Sequence, residues 1–247
     1  MMKAILFVSI FIIPVFTLSQ QLQLHYDLRH SVDPMHNAKN FPSLYFEYFK
    51  TLDSGSSFIK PGSFLLKVQM DFTGERNNMG QYYMQVSQAF RFWRPKVFLQ
   101  LQYSGGLGIA EPGAYGYYLI NAFSVGVAYP FSWQNKAFFN VYSSYKYTAY
   151  KKTSHDIIAA FYWLRFFSNY KISFAGNLVA WTENRNHGDA FTVDRKGKKF
   201  SLFGDPQLFF SLHKGFSVGS KATLYYHVIT EDNRIQVYPT IAMKYQF

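Results

Sequence analysis

Apolar and polar residues alternate along most of the chain, most regularly over residues 235–247. Successive side chains leave a β-strand on opposite faces, so this pattern predicts a strand with one apolar face and one polar face. Pro239 is the one interruption. The apolar row is Ile235, Val237, Ile241, Met243, Tyr245 and Phe247, and the other row is Gln236, Tyr238, Thr240, Ala242, Lys244 and Gln246.

The same period of two recurs in segments that are separated by turn residues. We count about twelve strands, and ten or fourteen are the alternatives if a weak segment is misjudged. The predicted fold class is therefore all-β, a transmembrane antiparallel up-and-down β-barrel, with an ordinary soluble β-sandwich as the alternative. The predicted strands are 21–29, 43–51, 63–73, 81–92, 96–104, 117–129, 137–148, 156–167, 170–181, 200–212, 216–230 and 234–247.

Short and long connections alternate along the chain. Outer-membrane barrels have short periplasmic turns and long outer loops, and an even strand number places both termini on one side. With the termini on the periplasmic side, the tight joints all lie there and the long ones lie outside. The tight joints are 94–95, 168–169 and 214–215, and the long connections are around 33–34, 105–116 and 183–199.

The composition supports a barrel in a membrane. Charged residues make up 16% of the 247 residues and aromatic residues 21%, unlike the charge-rich surface of a soluble domain. The mean hydropathy is nevertheless −0.11, and beyond the N-terminus no apolar run is long enough for a helix that spans a bilayer. A barrel explains both facts, because half of its strand residues face lipid and half face a polar lumen.

Residues 1–19 have the pattern of a secretory signal peptide, with Lys3 before a short apolar core and small residues near Ser19 at the cleavage site. We therefore predict export, a barrel domain over 20–247, and location in the bacterial outer membrane. The final strand ends on the aromatic residue Phe247, which resembles the signal that the barrel assembly machinery binds.

The formal net charge of +11 is concentrated in short basic clusters between the predicted strands. Outer-membrane lipid and lipopolysaccharide phosphates suit such clusters, and we predict no nucleic-acid partner. A solvated loop would carry the same charges. The outer-loop basic residues are Lys151, Lys152, Arg185, Arg195, Lys196, Lys198 and Lys199, and the aromatic residues predicted at the interfaces are Phe92, Trp93, Tyr129, Phe131, Trp133, Tyr147, Tyr150, Phe166, Phe167 and Tyr170.

The predicted lumen face carries both charged and aromatic side chains. Aromatic rings beside polar groups suit a flat ring that bears a hydroxylated tail, since stacking tolerates any base and hydrogen bonds hold the sugar. The same residues could instead brace and plug the lumen. The candidate pore-lining and substrate-binding residues are His25, Asp27, Arg29, Tyr45, Glu47, Phe49, Lys67, Asp71, Tyr83, Arg91, Lys221, Tyr225 and His227; the same face also includes Lys171, Lys244, Phe98, Tyr118 and Tyr238.

We predict no catalytic residues, no metal site and no cofactor. The chain has no cysteine, its seven histidines form no metal-binding pair, and Gly105 to Gly108 read as a flexible outer loop. Some outer-membrane barrels are hydrolases, and a catalytic triad cannot be located from spacing alone.

Several short motifs resemble the Tsx-like nucleoside-channel superfamily, and more closely its uncharacterised branch from Bacteroidota. The resemblance implies a twelve-stranded monomeric barrel that passes nucleosides down their gradient, with Glu47 and the neighbouring tyrosines as its site. The motifs are 22–27 (LQLHYD), 44–49 (LYFEYF), 204–208 (GDPQL) and the aromatic-ended last strand.

The sequence thus predicts a passive outer-membrane channel for small polar solutes, with nucleosides as the candidate substrates. The alternatives are a plugged structural or adhesive barrel, an outer-membrane hydrolase, and a soluble carbohydrate-binding sandwich.

Overall fold

The computed structural model describes residues 18–51, 60–91, 96–110, 115–134, 136–190 and 192–247. Among these residues no helix is long and apolar enough to cross a membrane. The predicted signal peptide lies outside the described residues up to position 17, and its last two residues already belong to the first strand.

In the described part of the chain, thirteen antiparallel strands form a single closed sheet. A four-residue helix, α1 (Arg29–Val32), follows the first strand, and a single 3-10 turn occupies Glu75–Asn77. The strands are β1 (Leu18–Asp27), β2 (Phe41–Thr51), β3 (Lys60–Asp71), β4 (Gln81–Arg91), β5 (Phe98–Ala110), β6 (Tyr115–Trp133), β7 (Ala137–Thr148), β8 (Ser154–Phe167), β9 (Ile172–Asn184), β10 (Lys198–Gly204), β11 (Gln207–His213), β12 (Phe216–Tyr226) and β13 (Gln236–Gln246).

The barrel closes because β1 pairs with both β2 and β13, with Gln21 opposite Gln246. Strands β10 and β11 both lie between β9 and β12, and the pairing register is the same on the two sides of the break at Asp205–Pro206. β10 and β11 therefore occupy one position in the barrel wall, and the thirteen strands fill twelve such positions, which we call staves. The predicted strand 200–212 corresponds to this one interrupted stave. The all-β barrel prediction is confirmed.

Polar residues face the interior and apolar residues face outward, the reverse of a soluble protein. The largest fully buried side chains include His25 and Lys146, whereas Leu24, Ile241 and Met243 are exposed. The predicted faces of the last strand are confirmed, since Val237 and Tyr245 are also exposed while Gln236, Tyr238, Thr240 and Ala242 are buried.

The predicted long loop over 105–116 is wrong. β5 continues to Ala110 and β6 begins at Tyr115, which leaves 111–114 outside the described residues. Gly108 fits the extended ladder because the ring of Tyr117 on the neighbouring strand covers it: a side chain at Gly108 would overlap that ring. Such cross-strand packing of a ring on a glycine compensates for the missing side chain.

A bulge in β6 turns Tyr118 outward, contrary to the prediction that it faces the lumen. Gly106 pairs with Ile120, but the next residue, Leu107, pairs with Tyr118, so one residue of β6 is unpaired. An extra residue in one strand moves the side chains beyond it to the opposite face of the sheet. Tyr118 is accordingly 64% exposed.

Gly126 allows close approach of two strands. A Cβ at this position would overlap the carbonyl oxygen of Ser143 and the Cα of Ser144, both backbone atoms of β7, whereas a Cβ at Gly116 would have its nearest neighbour 4.0 Å away. We expect Gly126→Ala to lower the free energy of unfolding by about 1–3 kcal/mol, because the backbone must shift. Urea unfolding of the refolded barrel measures this, and Gly116→Ala is the control; equal stabilities of the two variants would contradict the explanation.

Candidate functional site

The candidate site lies in the barrel interior, where the polar faces of the staves converge. It contains a central cluster on β1–β4 and β10–β13 and an outer cluster on β7–β10.

In the central cluster, Lys221 of β12 reaches across to β2. Its Nζ donates a hydrogen bond of 2.5 Å to the Tyr45 hydroxyl and lies 3.8 Å from the centroid of the same ring. The centroid of the His25 ring lies 4.6 Å from that of Tyr45, and the two rings are tilted by 56°. The two nitrogens of His25 bond Thr240 and Gln23 at 2.9 and 2.8 Å, which fixes the imidazole.

A second part of the cluster lies where the first outer loop enters the barrel. Arg29 of α1 makes a bidentate pair with Asp27 at 3.0 and 2.8 Å, and its guanidinium stacks on Phe41 and Tyr238 at 4.7 and 5.0 Å. Burial works to lower the pKa of Arg29, but the hydrogen bond to Asp27 and nearby negative charges including Asp71 raise it overall. The guanidinium is therefore a permanent cation at the mouth.

Glu47 and Lys67 form a third part, with 3.4 Å between Nζ and the carboxylate. Gln21 also donates to Glu47 at 2.9 Å. Lys67 lies 5.8 Å from the Tyr162 ring centroid on the opposite wall, so its ammonium points into the lumen.

Asp205 stands at the break between β10 and β11. It is 8% exposed, and its carboxylate accepts the backbone N–H of Asn177 at 2.8 Å. Its charge interacts with those of Lys67 and Lys221, which belong to other staves. The Oδ1 atom of Asn177 is buried and has no hydrogen-bond partner among the described residues. Asp205 therefore adds an acidic side chain to the part of the interior that contains Lys67 and Lys221.

The structure brings together ten of the thirteen predicted pore-lining residues. Phe49, Arg91 and His227 lie apart from the central cluster. Phe49 is four residues below Tyr45 on β2, about 13 Å along the strand. Arg91 is at the end of β4, where its guanidinium lies 5.5 Å from the Phe98 ring. The ten are His25, Asp27, Arg29, Tyr45, Glu47, Lys67, Asp71, Tyr83, Lys221 and Tyr225.

His227 is outside the strand to which it was assigned. β12 ends at Tyr226, and His227 has a positive φ of 54°. Its ring stacks on Tyr226 and bonds the Phe200 carbonyl and the Asn233 side chain at 2.9 and 2.8 Å. Lys171 likewise lies in the turn before β9, exposed, because that strand begins at Ile172.

Sequence reasoning missed the outer cluster as a group, and it placed two of its members, Lys198 and Lys199, in an outer loop. That placement is wrong, because β10 begins at Lys198. Lys146 lies opposite Asp156, and Glu183 lies opposite Lys199, in neighbouring staves. Glu183 is 3.4 Å from Lys146 and 3.1 Å from Lys199. Asp156 pairs with Lys198 at 2.7 Å. The sequence contained a signal for the cluster, because these charged residues alternate with outward-facing aromatic or apolar residues, which places them on the interior face. Pairing them also required the register between neighbouring strands, which the alternation does not give.

Among the described residues, no group of three or more histidine, aspartate or glutamate side chains could hold a metal ion. The interior arrangement offers charges of both signs, amide groups and tyrosine rings, a chemistry of binding and passage.

A closed antiparallel barrel with a polar interior is a fold that porins share. The chain is similar to the NanC porin, with a TM-score of 0.51 and 10% identity over 92% of this chain and 100% of that one. It is also similar to a porin refined at 1.8 Å, with a TM-score of 0.41 and 9% identity over 94% and 99% of the two chains. For LpxR from Salmonella typhimurium the TM-score is 0.43, with 7% identity over 93% and 100%. The first of these supports the fold, and the other two have TM-scores too low to support an argument.

Residues 19–247 match the model of the family described as a domain of unknown function, DUF5020, and the chain belongs to that family. No curated protein matches the chain. The resemblance to Tsx-like channels, the Bacteroidota branch and nucleoside selectivity stay predictions.

Proposed function

We propose that the protein is a passive channel of the bacterial outer membrane for small polar solutes. The observation that carries this proposal is the inverted arrangement of the barrel, with exposed apolar side chains outside and a cluster of opposite charges and tyrosines inside. Lipid can cover the apolar exterior, and a polar solute can exchange its water for the interior groups.

The connections support an orientation with the termini in the periplasm. The turns on the side of the termini include 134–136, 168–171 and 214–215, whereas the other side carries the segments 28–40, 185–197 and 227–235. Short periplasmic turns and long outer loops are typical of such barrels.

Nucleosides are the solutes that we propose for the central cluster. Tyr45, Tyr83 and Tyr225 provide ring faces on three staves, and the carboxylates and ammonium groups beside them can bond a ribose. A stacked base is worth about 1–3 kcal/mol by alanine substitution in other nucleic-acid sites. Glu47 and Lys67 supply an acceptor and a donor at the same level.

A liposome-swelling assay tests both parts of the proposal. We expect adenosine and uridine to enter vesicles with refolded protein faster than sugars of matched size. We also expect Tyr45→Ala to slow nucleoside entry about tenfold, since it removes one ring and the hydroxyl that bonds Lys221. Equal entry of nucleosides and sugars would refute the selectivity.

The matched control is Tyr26→Ala, because Tyr26 lies on the neighbouring strand β1 with 49% exposure on the outer face. Retention of the fold by both variants is checked by heat-dependent mobility on a gel. If Tyr26→Ala slows entry as much as Tyr45→Ala, the interior tyrosine has no specific role.

A barrel with a plugged lumen is the second candidate function. The interior side chains bond one another across the lumen, as in the contact of Lys221 with Tyr45, and Lys244 covers the ring of Phe209 at 4.2 Å. Absence of swelling with every solute and absence of conductance in planar bilayers would favour this candidate.

Our proposal is a non-catalytic one, and lipid turnover that a single serine or histidine substitution abolishes would contradict it.

For the outer rim we propose contact with lipopolysaccharide phosphates. Lys151 and Lys152 lie beside the outer loop 185–197, where the Lys152 N–H bonds the His187 carbonyl at 2.9 Å. Burial raises the pKa of Tyr150, whose ring stacks on His187 at 4.3 Å, so its hydroxyl stays neutral there. We further propose that the barrel acts as a monomer and is inserted by the barrel assembly machinery.

A further inference from the structure

A row of aromatic rings crosses the outer face of four staves near the end that carries the termini. Adjacent centroids are 5.0–5.9 Å apart along Tyr129, Phe131, Phe139, Phe161, Trp163 and Phe174. Phe131, Phe161 and Phe174 are 40%, 37% and 37% exposed, so the row is open to the surroundings. The predicted interfacial position of Tyr129 and Phe131 agrees with it, while Phe92 and Trp93 lie outside the described residues.

A shallow pocket of about 60 Å³ lies beside this row, at the turn between β6 and β7. Two cations line it. Lys136 comes from the turn, and Arg165 comes from the outer face of β8, opposite Ala137. The Phe166 N–H bonds the Lys136 carbonyl at 2.9 Å, which fixes the turn against β8. The lining residues are Trp133, Gln134, Lys136, Ala137, Arg165 and Phe166.

The two cations have no ion-pair partner among the described residues. The guanidinium of Arg165 lies 4.8 Å from the Phe167 ring centroid. An arginine on the lipid face costs about 2–4 kcal/mol at the middle of a bilayer and about 0–1 kcal/mol near its interfaces. Its position two residues before the end of β8 places it near an interface, where phosphate is the available counter-charge.

We propose that this pocket and the aromatic row form a binding site for an anionic phospholipid of the periplasmic leaflet. The phosphate lies between Lys136 and Arg165, and the acyl chains lie along the rings. A net negative headgroup fits because none of the six lining residues is acidic, so no carboxylate is present to accept an ammonium group. The inference rests on the membrane orientation of the proposed function but not on transport.

The test is native mass spectrometry of the detergent-purified full barrel titrated with phosphatidylglycerol. We expect one tightly bound lipid in the wild type and at least tenfold weaker binding in the double variant Lys136→Gln/Arg165→Gln. Phosphatidylethanolamine should bind both proteins equally and weakly. Equal phosphatidylglycerol binding by wild type and variant would overturn the proposal.

The control variant is Lys171→Gln/Lys214→Gln, which removes two exposed lysines from turns at the same end. It should bind phosphatidylglycerol as the wild type does; a loss equal to that of the pocket variant would mean that general charge, not this site, holds the lipid. A barrel that binds the lipid but passes no solute would refute the channel and leave this site intact.

Discussion

Replacing Glu183 by glutamine is expected to lower the free energy of unfolding by about 3 kcal/mol. The carboxylate lies between Lys146 and Lys199 and accepts the Trp181 indole N–H at 3.2 Å. The Lys146 side chain is 2% exposed, and its other acidic neighbour, Asp156, already pairs with Lys198, so the substitution removes the carboxylate with which this buried cation pairs. Breaking a buried pair by removing one partner costs about 3–5 kcal/mol. Urea unfolding of refolded protein in lipid vesicles measures the loss.

The control is Glu231→Gln, which also removes a carboxylate with two cationic partners. Glu231 pairs with Arg185 and Arg195 at the surface, where all three side chains are about 40% exposed or more. Exposed pairs are worth roughly 0–1 kcal/mol, so this variant should change stability little. The double variant Glu183→Gln/Lys146→Met should be less destabilised than the sum of its single substitutions, because no buried charge is stranded. Strict additivity would contradict the coupling.

Replacing Asp205 by asparagine is expected to shift the permeability ratio of the channel about tenfold toward anions. The substitution removes an acidic side chain from the interior and leaves Lys67 and Lys221 near it. A unit charge about 5 Å away is worth roughly 3 kcal/mol at an effective dielectric of 20, and salt reduces this further. Tenfold corresponds to about 1.4 kcal/mol. The reversal potential of planar bilayers under a salt gradient measures the ratio.

Asp232→Asn is the matched control for this measurement. Asp232 lies in the loop between β12 and β13, 54% exposed at its side chain, and pairs with Arg234 at 3.5 Å. An unchanged reversal potential in Asp205→Asn would show that Asp205 does not face the ion path. A shift of equal size in Asp232→Asn would show that surface charge, rather than the interior position of Asp205, sets the ratio.

Alternation was sufficient to predict the barrel, because each strand carries its own two-faced pattern. The interruption at Asp205–Pro206 could not be predicted from the sequence, because a proline within an alternating segment is compatible both with one continuous strand and with two shorter strands. The glycines at 105, 106 and 108 were taken for a loop, although Tyr103 and Tyr117 supply the rings that cover two of them. Local composition cannot show which residue lies across a strand pair.

Most of the central cluster could be predicted because its members share the polar faces of alternating strands. The predicted strand end at Arg29 was wrong, since β1 ends at Asp27 and Arg29 lies in α1, and Asp205 was not predicted. Tyr118 and His227 were misplaced for a different reason: a bulge and an early strand end each depend on the neighbouring strand. Prediction of the outer cluster would have required the pairing register of strands β7 to β10. Lys146 and Asp156 are equidistant from the loop that joins β7 and β8, so a symmetric hairpin would have revealed that pair.

The seam between β1 and β13 has a consequence for how the chain folds. It joins residue 21 to residue 246, whereas the other staves pair with neighbours in sequence. Contacts between distant residues form slowly, because the intervening chain must be ordered first. We therefore expect closure of this seam to be the last and slowest event in refolding, preceded by an open sheet with two unsatisfied edges.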